Sequence, residues 1–288
     1  MYGVPDLVIL SERQMMTDFS FEAVDAQDYA RLRPTYAPEA IRWLVQRVAL
    51  NGSSHVLDLG AGPGPLARRF LELGVPVMGV EPASNMRDLL AEVIGPEHAL
   101  EGTAEAIPLP TSVIDLIVAG QAVHWFEPKE AIPEIDRVLK STGALAWLRT
   151  GFLSGQAPDV LAGIVKRHEP HGWFDQHSRP EWGHELEKSG LFTAPEVRTF
   201  LWCHSLPASQ MPAWVATWGD VAALPSAVRV PLLAEIEAVV GTFPSVVTFD
   251  TSTQVRLTFR RQRSLRGLVD GVRRARASLA RGIGNRHR

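Results

Sequence analysis

The stretch Val56-Leu57-Asp58-Leu59-Gly60-Ala61-Gly62-Pro63-Gly64, VLDLGAGPG, decides the fold of this chain. Its apolar first half predicts a short buried strand. The three alternate glycines predict a turn whose backbone can adopt positive φ and approach a ligand closely. A half-buried turn without a ligand is the plainer alternative for these glycines. The residues around the loop must therefore decide between the two.

The segments on both sides of this loop alternate between strand and helix patterns. A helix begins at Ala37-Pro38-Glu39, with proline in its first turn, and ends at Asn51-Gly52. The predicted strands are 55–59, 75–81, about 98–101, 113–120 and 143–150, and the helices between them are 65–74, 84–94 and 128–139. This alternation predicts a parallel sheet covered on both faces, with ligands bound beyond the carboxyl ends of the strands.

The second half of the chain is less regular. Residues 151–177, together with two apolar-faced helices predicted at 208–225 and 226–241, indicate a cap added to the sheet. Between these segments the pattern fits a helix packed on the sheet and two last strands paired antiparallel, at 181–190, 195–206 and 251–260.

Composition describes a globular chain. Its 288 residues, 45% of them hydrophobic, can bury a sizeable core. No apolar run reaches the roughly 18 residues that span a bilayer, and the first residues lack a signal-peptide pattern, so we expect a cytoplasmic protein that does not bind membranes. Residues 1–24 resemble a loose leader in which Met15 or Met16 is an alternative start. Cys203, the only cysteine, excludes an internal disulfide, and its apolar neighbours predict a buried thiol.

Charge is distributed unevenly along the chain. The formal net charge is −3, although residues 260–288 hold ten arginines against one aspartate. The body is therefore acidic, and residues 261–288 form a basic tail. Because no aromatic residues are interleaved with the arginines, the tail fits a solvated extension better than a polyanion-binding arm, and we expect no nucleic-acid partner.

The glycine loop is a poor pyrophosphate site. The dinucleotide pattern G-x-G-x-x-G needs glycine where this chain has Pro65, and neither Pro63 nor Pro65 has an N–H to donate. Glu81 ends the next predicted strand, where a carboxylate can bind both hydroxyls of a ribose; a solvated strand end is the alternative. S-adenosylmethionine fits both features, because it is a nucleoside without phosphate. Asp58 would organise the loop or reach the ligand through water.

Four motifs in order carry a family resemblance. DLGAGPG (58–64), VEPASNM (80–86), GTAEAIPLPTSVIDLI (102–117) and GQAVHWFEP (120–128) resemble the successive motifs of class I S-adenosylmethionine-dependent methyltransferases. The most similar group includes the trans-aconitate and related small-molecule methyltransferases. The resemblance implies an α/β fold: a Rossmann-like, mostly parallel seven-stranded sheet with helices on both faces and an inserted helical cap. The implied division is a core at 25–150, cap insertions at 151–177 and 208–241, and completion of the sheet at 178–207 and 242–260.

The resemblance also implies which residues bind the cofactor and its product, S-adenosylhomocysteine. The glycines would line the methionine and ribose portion, Glu81 would bind the ribose, and Met86 would lie against the adenine face. Residues 103–105 would close over the adenine edge through backbone N–H groups, although Thr103 replaces an aspartate found in many relatives. The implied set is Tyr29, Arg33, Asp58, Gly60, Ala61, Gly62, Gly64, Glu81, Pro82, Met86, Thr103, Ala104, Glu105, Gln121 and Ala122.

The entrance segment YARLRPTY (29–36) resembles the part of these enzymes that approaches the methionine carboxylate. Tyr29, Arg33 and Tyr36 are its candidates, and a surface salt bridge is the alternative for Arg33. Gln121 and Ala122 would flank the methionine moiety. Tyr36 is also a candidate for contact with the acceptor.

His124 and Trp125 are candidates for the acceptor site. Methyl transfer from a sulfonium needs no protonation of the leaving group, so the enzyme mainly aligns the reacting atoms. His124 would act as a base, or would orient the substrate; a purely structural hydrogen bond is the alternative. Trp214 and Trp218 are further substrate-binding candidates, or simply core. We predict no metal site, because His168, His171, His177 and His184 lack the spacing of a helical metal pair.

Three functions follow from this reading. The first is a methyltransferase that acts on an O, N or C atom of a small molecule held under the cap. The second is a nucleic-acid methyltransferase that uses the arginine-rich tail, and the acidic body argues against it. The third is a protein of the same fold that binds the cofactor without transferring methyl. The sequence leaves the acceptor and the oligomeric state open.

Overall fold

A computed structural model describes residues 25–154, 156–168, 182–222 and 224–262. The predicted leader and almost all of the basic tail lie outside the described residues, as do His171 and His177. The strands are β1 (Val56–Leu59), β2 (Val77–Val80), β3 (Ala99–Leu100), β4 (Ile114–Gly120), β5 (Leu139–Ser154), β6 (Glu196–Pro207) and β7 (Val246–Phe259).

The helices predicted in the first half of the chain are present, and an additional helix, Ala26–Leu32, precedes them. In chain order the helices are α1 (Ala26–Leu32), α2 (Pro38–Val48), α3 (Pro65–Leu71), α4 (Ser84–Ile94), α5 (Pro128–Val138), α6 (Gln156–His168), α7 (Trp182–Ser189), α8 (Met211–Ala216), α9 (Gly219–Ala222) and α10 (Ser226–Val240), with 3-10 turns at Val123–Trp125 and Ala208–Gln210.

The seven strands form one sheet in the order β3-β2-β1-β4-β5-β7-β6. Strands β1 to β5 pair in parallel, whereas β7 runs antiparallel to both β5 and β6. The predicted mostly parallel seven-stranded sheet is therefore confirmed, and so is the predicted antiparallel pairing of the last two strands. Because β6 runs parallel to β5, its carboxyl end lies at the same sheet edge as the loop after β1.

The apolar runs of the central strands are explained by burial on both faces. All four residues of β1 are buried. Val56 faces the cluster packed by α2, α3 and α4, and Leu57 faces the cluster packed by α5 and α7. This two-sided burial is what a parallel sheet covered by crossover helices requires.

A third apolar cluster contains α6, α8, α9 and α10, which we call the outer helices. They pack with Leu206 at the end of β6 and with Val247 and Phe249 at the start of β7. Since β6 and β7 are antiparallel, these positions share the carboxyl edge of the sheet.

Two expectations need correction. The helix predicted over 208–225 is broken into a 3-10 turn and two short helices, because the Thr217 hydroxyl donates to the Trp214 carbonyl at 2.6 Å and Gly219 follows. The thiol of Cys203 is exposed rather than buried. It lies on the edge strand β6, whose 12 residues are mostly exposed on one face. Apolar sequence neighbours do not bury a residue there, because alternate residues point to opposite faces.

Within the described ranges, no helix is both long and apolar enough to span a membrane.

Candidate active site

The glycine loop after β1 is built around backbone that only glycine adopts easily. Gly60, Gly62 and Gly64 have φ of 69°, 55° and 83°. A Cβ at Gly60 would lie 2.8 Å from the Ala122 Cβ, and one at Gly64 would lie 2.9 Å from the Leu90 Cδ1. At Gly62 a Cβ would meet no described atom within 4 Å. Two glycines therefore let the loop pack, and the middle one faces open space.

Glu81 joins the end of β2 to this loop. Its Oε2 accepts the Gly62 N–H at 2.8 Å and its Oε1 accepts the Ala83 N–H at 3.0 Å, while only 6% of the residue is exposed. Both carboxylate oxygens therefore accept backbone N–H groups of the residues around the loop. The predicted position of Glu81 beside the glycines is therefore realised in the structure.

Asp58 lies under the loop and supports it from below. Its Oδ2 accepts the Ala67 N–H in the first turn of α3 at 3.1 Å, and the residue is 1% exposed. Burial raises the pKa of Asp58 to about 7, the Ala67 hydrogen bond lowers it, and the nearby Glu81 raises it further. Asp58 thus caps α3 and fixes the end of the glycine loop, as the first of its two predicted roles requires.

The entrance segment, residues 29–36, also lies at this edge of the sheet. Tyr36 is only 5% exposed, and its hydroxyl lies so close to Gly120 that a Cβ there would be 2.1 Å from Oη. Burial, with a smaller contribution from Asp58, raises the pKa of Tyr36 well above its usual value. The Arg33 guanidinium lies over the Tyr29 ring at 5.2 Å. The structure thus brings Tyr36 to Asp58 and the end of β4, and its contact with the acceptor stays a prediction.

The residues after β4 complete this edge. Gln121 has φ of 55°, an uncommon value for a residue other than glycine. Its Nε2 donates to the Thr150 carbonyl at 2.8 Å, which fixes the side chain beside β5. Ala122 is buried against Gly60. Ala122 therefore lies against the glycine loop, and Gln121 precedes it in the chain; their contact with the methionine moiety stays a prediction.

The segments predicted for adenine lie next to the β2 and β3 ends. Ala104 is buried and Thr103 is exposed, and the Thr103 carbonyl accepts the Ala106 N–H at 3.3 Å. The Glu105 Oε1 accepts the Glu127 N–H at 2.8 Å. Pro82 follows Glu81 and is exposed, whereas Met86 is buried in a small cluster with Ala222, Ala26, Tyr29 and Ala83. Met86, on α4, therefore packs against α1 and the outer helix α9.

His124 and Trp125 occupy the 3-10 turn that follows Ala122. Their ring centroids are 5.2 Å apart, and His124 is exposed while Trp125 is partly buried. Both lie at the rim of the same edge. The geometry suits a residue that lines the mouth of the site.

Trp214 and Trp218, the two substrate-binding candidates from the second half of the chain, differ in their surroundings. Trp214 is fully buried and packs against Phe249 and Trp218, with ring centroids 5.1 and 5.2 Å away. These contacts are those of a core residue. Trp218 is partly exposed and remains a candidate for lining a substrate pocket. His168 contacts Glu235 at 2.7 Å, and no group of three metal-ligating side chains occurs among the residues that the structure describes.

Comparison with known proteins identifies the family. The family model described as a methyltransferase domain matches residues 57–147. An uncharacterized methyltransferase of Mycobacterium tuberculosis is 37% identical over 210 residues, which cover 69% of this chain and 82% of that protein. An uncharacterized methyltransferase of Schizosaccharomyces pombe is 30% identical, covering 78% of this chain and 89% of that one. The chain is a class I S-adenosylmethionine-dependent methyltransferase.

Solved structures agree with the fold of the methyltransferase. A protein of Anaeromyxobacter dehalogenans, described as a candidate type II methyltransferase, aligns with a TM-score of 0.54 and 21% identity over 80% of this chain and 97% of its own. A candidate methyltransferase from an antibiotic biosynthesis pathway of Anabaena variabilis gives a TM-score of 0.51 and 16% identity, over 78% and 98%. At these identities the likeness shows the fold alone. The narrower resemblance to the trans-aconitate group stays a prediction.

The structure places three further residues of the methyltransferase at the candidate site that the sequence analysis did not identify. Gly120 makes room for the Tyr36 hydroxyl, Phe126 packs against Gly60, and Thr150 holds Gln121. Only Gly120 has a visible sequence signal, since glycine ends a buried strand there. The other contacts join residues far apart in the chain.

Proposed function

We propose that this methyltransferase transfers the methyl group to an O, N or C atom of a small-molecule acceptor held beneath the outer helices. The position of the outer helices is the observation on which the proposal rests. The end of β6 and the start of β7, on which they pack, lie at the same sheet edge as the glycine loop, Glu81 and Gln121. A helical layer at this edge suits enclosure of a small ligand better than docking of a macromolecule.

Helix α1 supports the proposal because it touches both parts. Leu32 is fully buried in the cluster of the outer helices. Tyr29, on the same helix, packs near Met86 and Ala222, which belong to α4 and α9. An acceptor enclosed here would therefore share its walls with the cofactor site.

The residues of the site fit S-adenosylmethionine. Gly62 leaves open space in the cradle, and the buried Glu81 carboxylate suits the ribose hydroxyls. We assign the ribose to Glu81, the adenine edge to 103–105 and the methionine end to Gln121 with Arg33. When bound, this cofactor supplies an electrophilic methyl group on a sulfonium. The chain's own task is then to align the acceptor and exclude water.

His124 is the candidate base or orienting residue. It would accept a proton from a hydroxyl or amine acceptor, whereas a carboxylate acceptor would need no base. Its position at the rim, beside the partly buried Trp125, fits contact with the acceptor rather than with the cofactor.

Transfer of labelled methyl tests the proposal. The protein is incubated with methyl-labelled S-adenosylmethionine in three separate reactions, which contain the small-molecule, nucleic-acid or protein fraction of a cell extract. We expect label in the metabolite pool, and Glu81→Gln should abolish it. Label confined to nucleic acid or protein would contradict the small-molecule proposal, and nucleic-acid labelling that disappears without residues 261–288 would favour the tail-dependent alternative.

A matched pair of tryptophan variants tests the position of the acceptor. Trp218→Ala should raise KM for the acceptor and leave KM for S-adenosylmethionine unchanged. Trp43→Ala is the control, because Trp43, on α2, is also partly buried but packs on Phe200 of β6, away from the outer helices. Equal effects of both variants would argue against an acceptor site beneath the outer helices. The cytoplasmic location stays a prediction.

A further inference from the structure

Two buried threonines hold the backbone on both sides of Tyr36. The Ala37 N–H donates to the Thr253 Oγ1 at 3.0 Å, and the Thr150 Oγ1 donates to the Thr35 carbonyl at 3.3 Å. The two hydroxyls are themselves 3.3 Å apart. Thr253 is fully buried and Thr150 is 8% exposed.

The donor and the acceptor in each of these hydrogen bonds follow from the number of protons that each hydroxyl can donate. Each hydroxyl has one proton to donate and lone pairs to accept. Since Thr150 gives its proton to the Thr35 carbonyl, the contact between the hydroxyls requires Thr253 to donate to Thr150. The bonds then run in one direction, from the Ala37 N–H through both hydroxyls to the Thr35 carbonyl. Such chains polarise and strengthen their members in a dry environment.

The same threonine pair also reaches the opposite side of the site. The Thr150 carbonyl accepts from Gln121 Nε2 at 2.8 Å. Thr150 therefore connects Gln121, at the end of β4, with the segment that carries Arg33 and Tyr36. On β6, the His204 side chain lies close to the Leu32 backbone at the end of α1. Strands β5, β7 and β6 thus each approach part of the 32–37 segment.

We propose that Thr150 and Thr253 are positioning residues that clamp the entrance segment over the methionine end of the cofactor site. The inference rests on the proposed function, because Arg33 and Gln121 are assigned to the methionine end there. The clamp contacts only backbone, so it fixes where Arg33 and Tyr36 lie without touching the ligand. Its loss should weaken ligands that carry the amino acid group and spare those that lack it.

The variants are chosen to isolate the hydroxyls. Thr253→Val keeps the shape and removes the chain, whereas Thr253→Ser keeps the hydroxyl. Thr258→Val is the matched control, because Thr258 is equally buried on β7 but bonds Thr193, with its hydroxyl 2.6 Å from the Thr193 carbonyl. Thr150→Val breaks the same chain from β5 and replaces Thr253→Val if that variant does not fold.

Calorimetry compares S-adenosylhomocysteine with 5′-methylthioadenosine, which lacks the amino acid group. Thr253→Val should weaken S-adenosylhomocysteine about tenfold, as expected when a lost buried bond leaves the clamped segment about one-tenth populated. Its affinity for 5′-methylthioadenosine should change less than about twofold, Thr253→Ser should restore binding, and Thr258→Val should change neither affinity. Unchanged binding, equal loss of both ligands, or failure of serine to restore binding would overturn the clamp.

Hydrogen exchange separates this inference from the proposed function. If the unaltered protein bound neither ligand, the assigned cofactor site would be wrong. The clamp would still predict faster exchange of the Ala37 amide in Thr253→Val than in Thr258→Val. Equal exchange in the two variants would overturn it.

Discussion

Substitution of Gly62 distinguishes most clearly between an effect on ligand affinity and an effect on the stability of the fold. Its φ is 55°, and the space beside it is open, so Gly62→Ala introduces backbone strain but no clash with described atoms. Gly74 is a natural control: its φ is 73°, its surroundings are equally open, and it lies between α3 and β2 at the other end of the sheet. An alanine in left-handed backbone costs about 1 to 2 kcal/mol.

Both variants should therefore lose about the same free energy of unfolding, equivalent to a fall of roughly 2 to 8 °C in melting temperature. Only Gly62→Ala places a methyl group in the proposed cradle. Crowding of a close-packed contact costs about 1 to 3 kcal/mol, so S-adenosylhomocysteine should bind roughly 5- to 150-fold more weakly to this variant.

Calorimetric titration and thermal melting of both variants provide the assay. Gly74→Ala should bind as tightly as the unaltered protein. Affinity of Gly62→Ala within twofold of the unaltered protein would refute the assignment of this open space to the cofactor. Equal loss of affinity in both variants would show that backbone strain, not the added methyl, weakens binding.

Three further predictions concern stability. Burial raises the folded-state pKa of Asp58 from 3.8 to about 7, so the folded protein holds its proton more tightly than the unfolded chain does. The protein should lose up to about 4 kcal/mol relative to Asp58→Asn as pH rises from about 4 to about 7; a pH-independent difference in urea unfolding would contradict this. Gly120→Ala should cost about 3 kcal/mol, because its methyl overlaps the Tyr36 hydroxyl, and a loss below 1 kcal/mol in the same assay would argue against that packing. Arg260→Met should also cost about 3 kcal/mol, because it removes the cation that pairs with Asp136, whose Oδ1 lies 2.6 Å from the arginine Nε in a largely buried pair. The loss of under 1 kcal/mol typical of an exposed pair would contradict this third prediction.

Local patterns predicted the strand ends at the sheet edge where we propose that the cofactor binds. Apolar runs and glycine turns are short-range signals, so the strand ends that carry Asp58, Glu81 and Gln121 could be located from the sequence. Right-handed crossovers between parallel strands then predict that these strand ends share one edge of the sheet, but they do not determine the order of the strands.

Contacts between distant segments could not be predicted in this way. Ala37 and Thr253 are separated by 216 positions, and Thr150 and Thr253 by 103. A threonine in a strand pattern has the same appearance whether its hydroxyl bonds its own strand or another segment. Cys203 shows the same limit, because apolar neighbours in sequence do not tell an edge strand from a central one.

The most direct test of the central assignment is calorimetric titration of the unaltered protein and Glu81→Gln with S-adenosylmethionine, S-adenosylhomocysteine and NAD. Glutamine keeps one of the two acceptors for the Gly62 and Ala83 N–H groups and removes the carboxylate that we propose binds the ribose, and thermal melting verifies that the variant is folded. Binding of both sulfur nucleosides to the unaltered protein, loss of that binding in folded Glu81→Gln, and no binding of NAD would support the account. Unchanged binding in Glu81→Gln, or tighter binding of NAD than of S-adenosylmethionine, would contradict it.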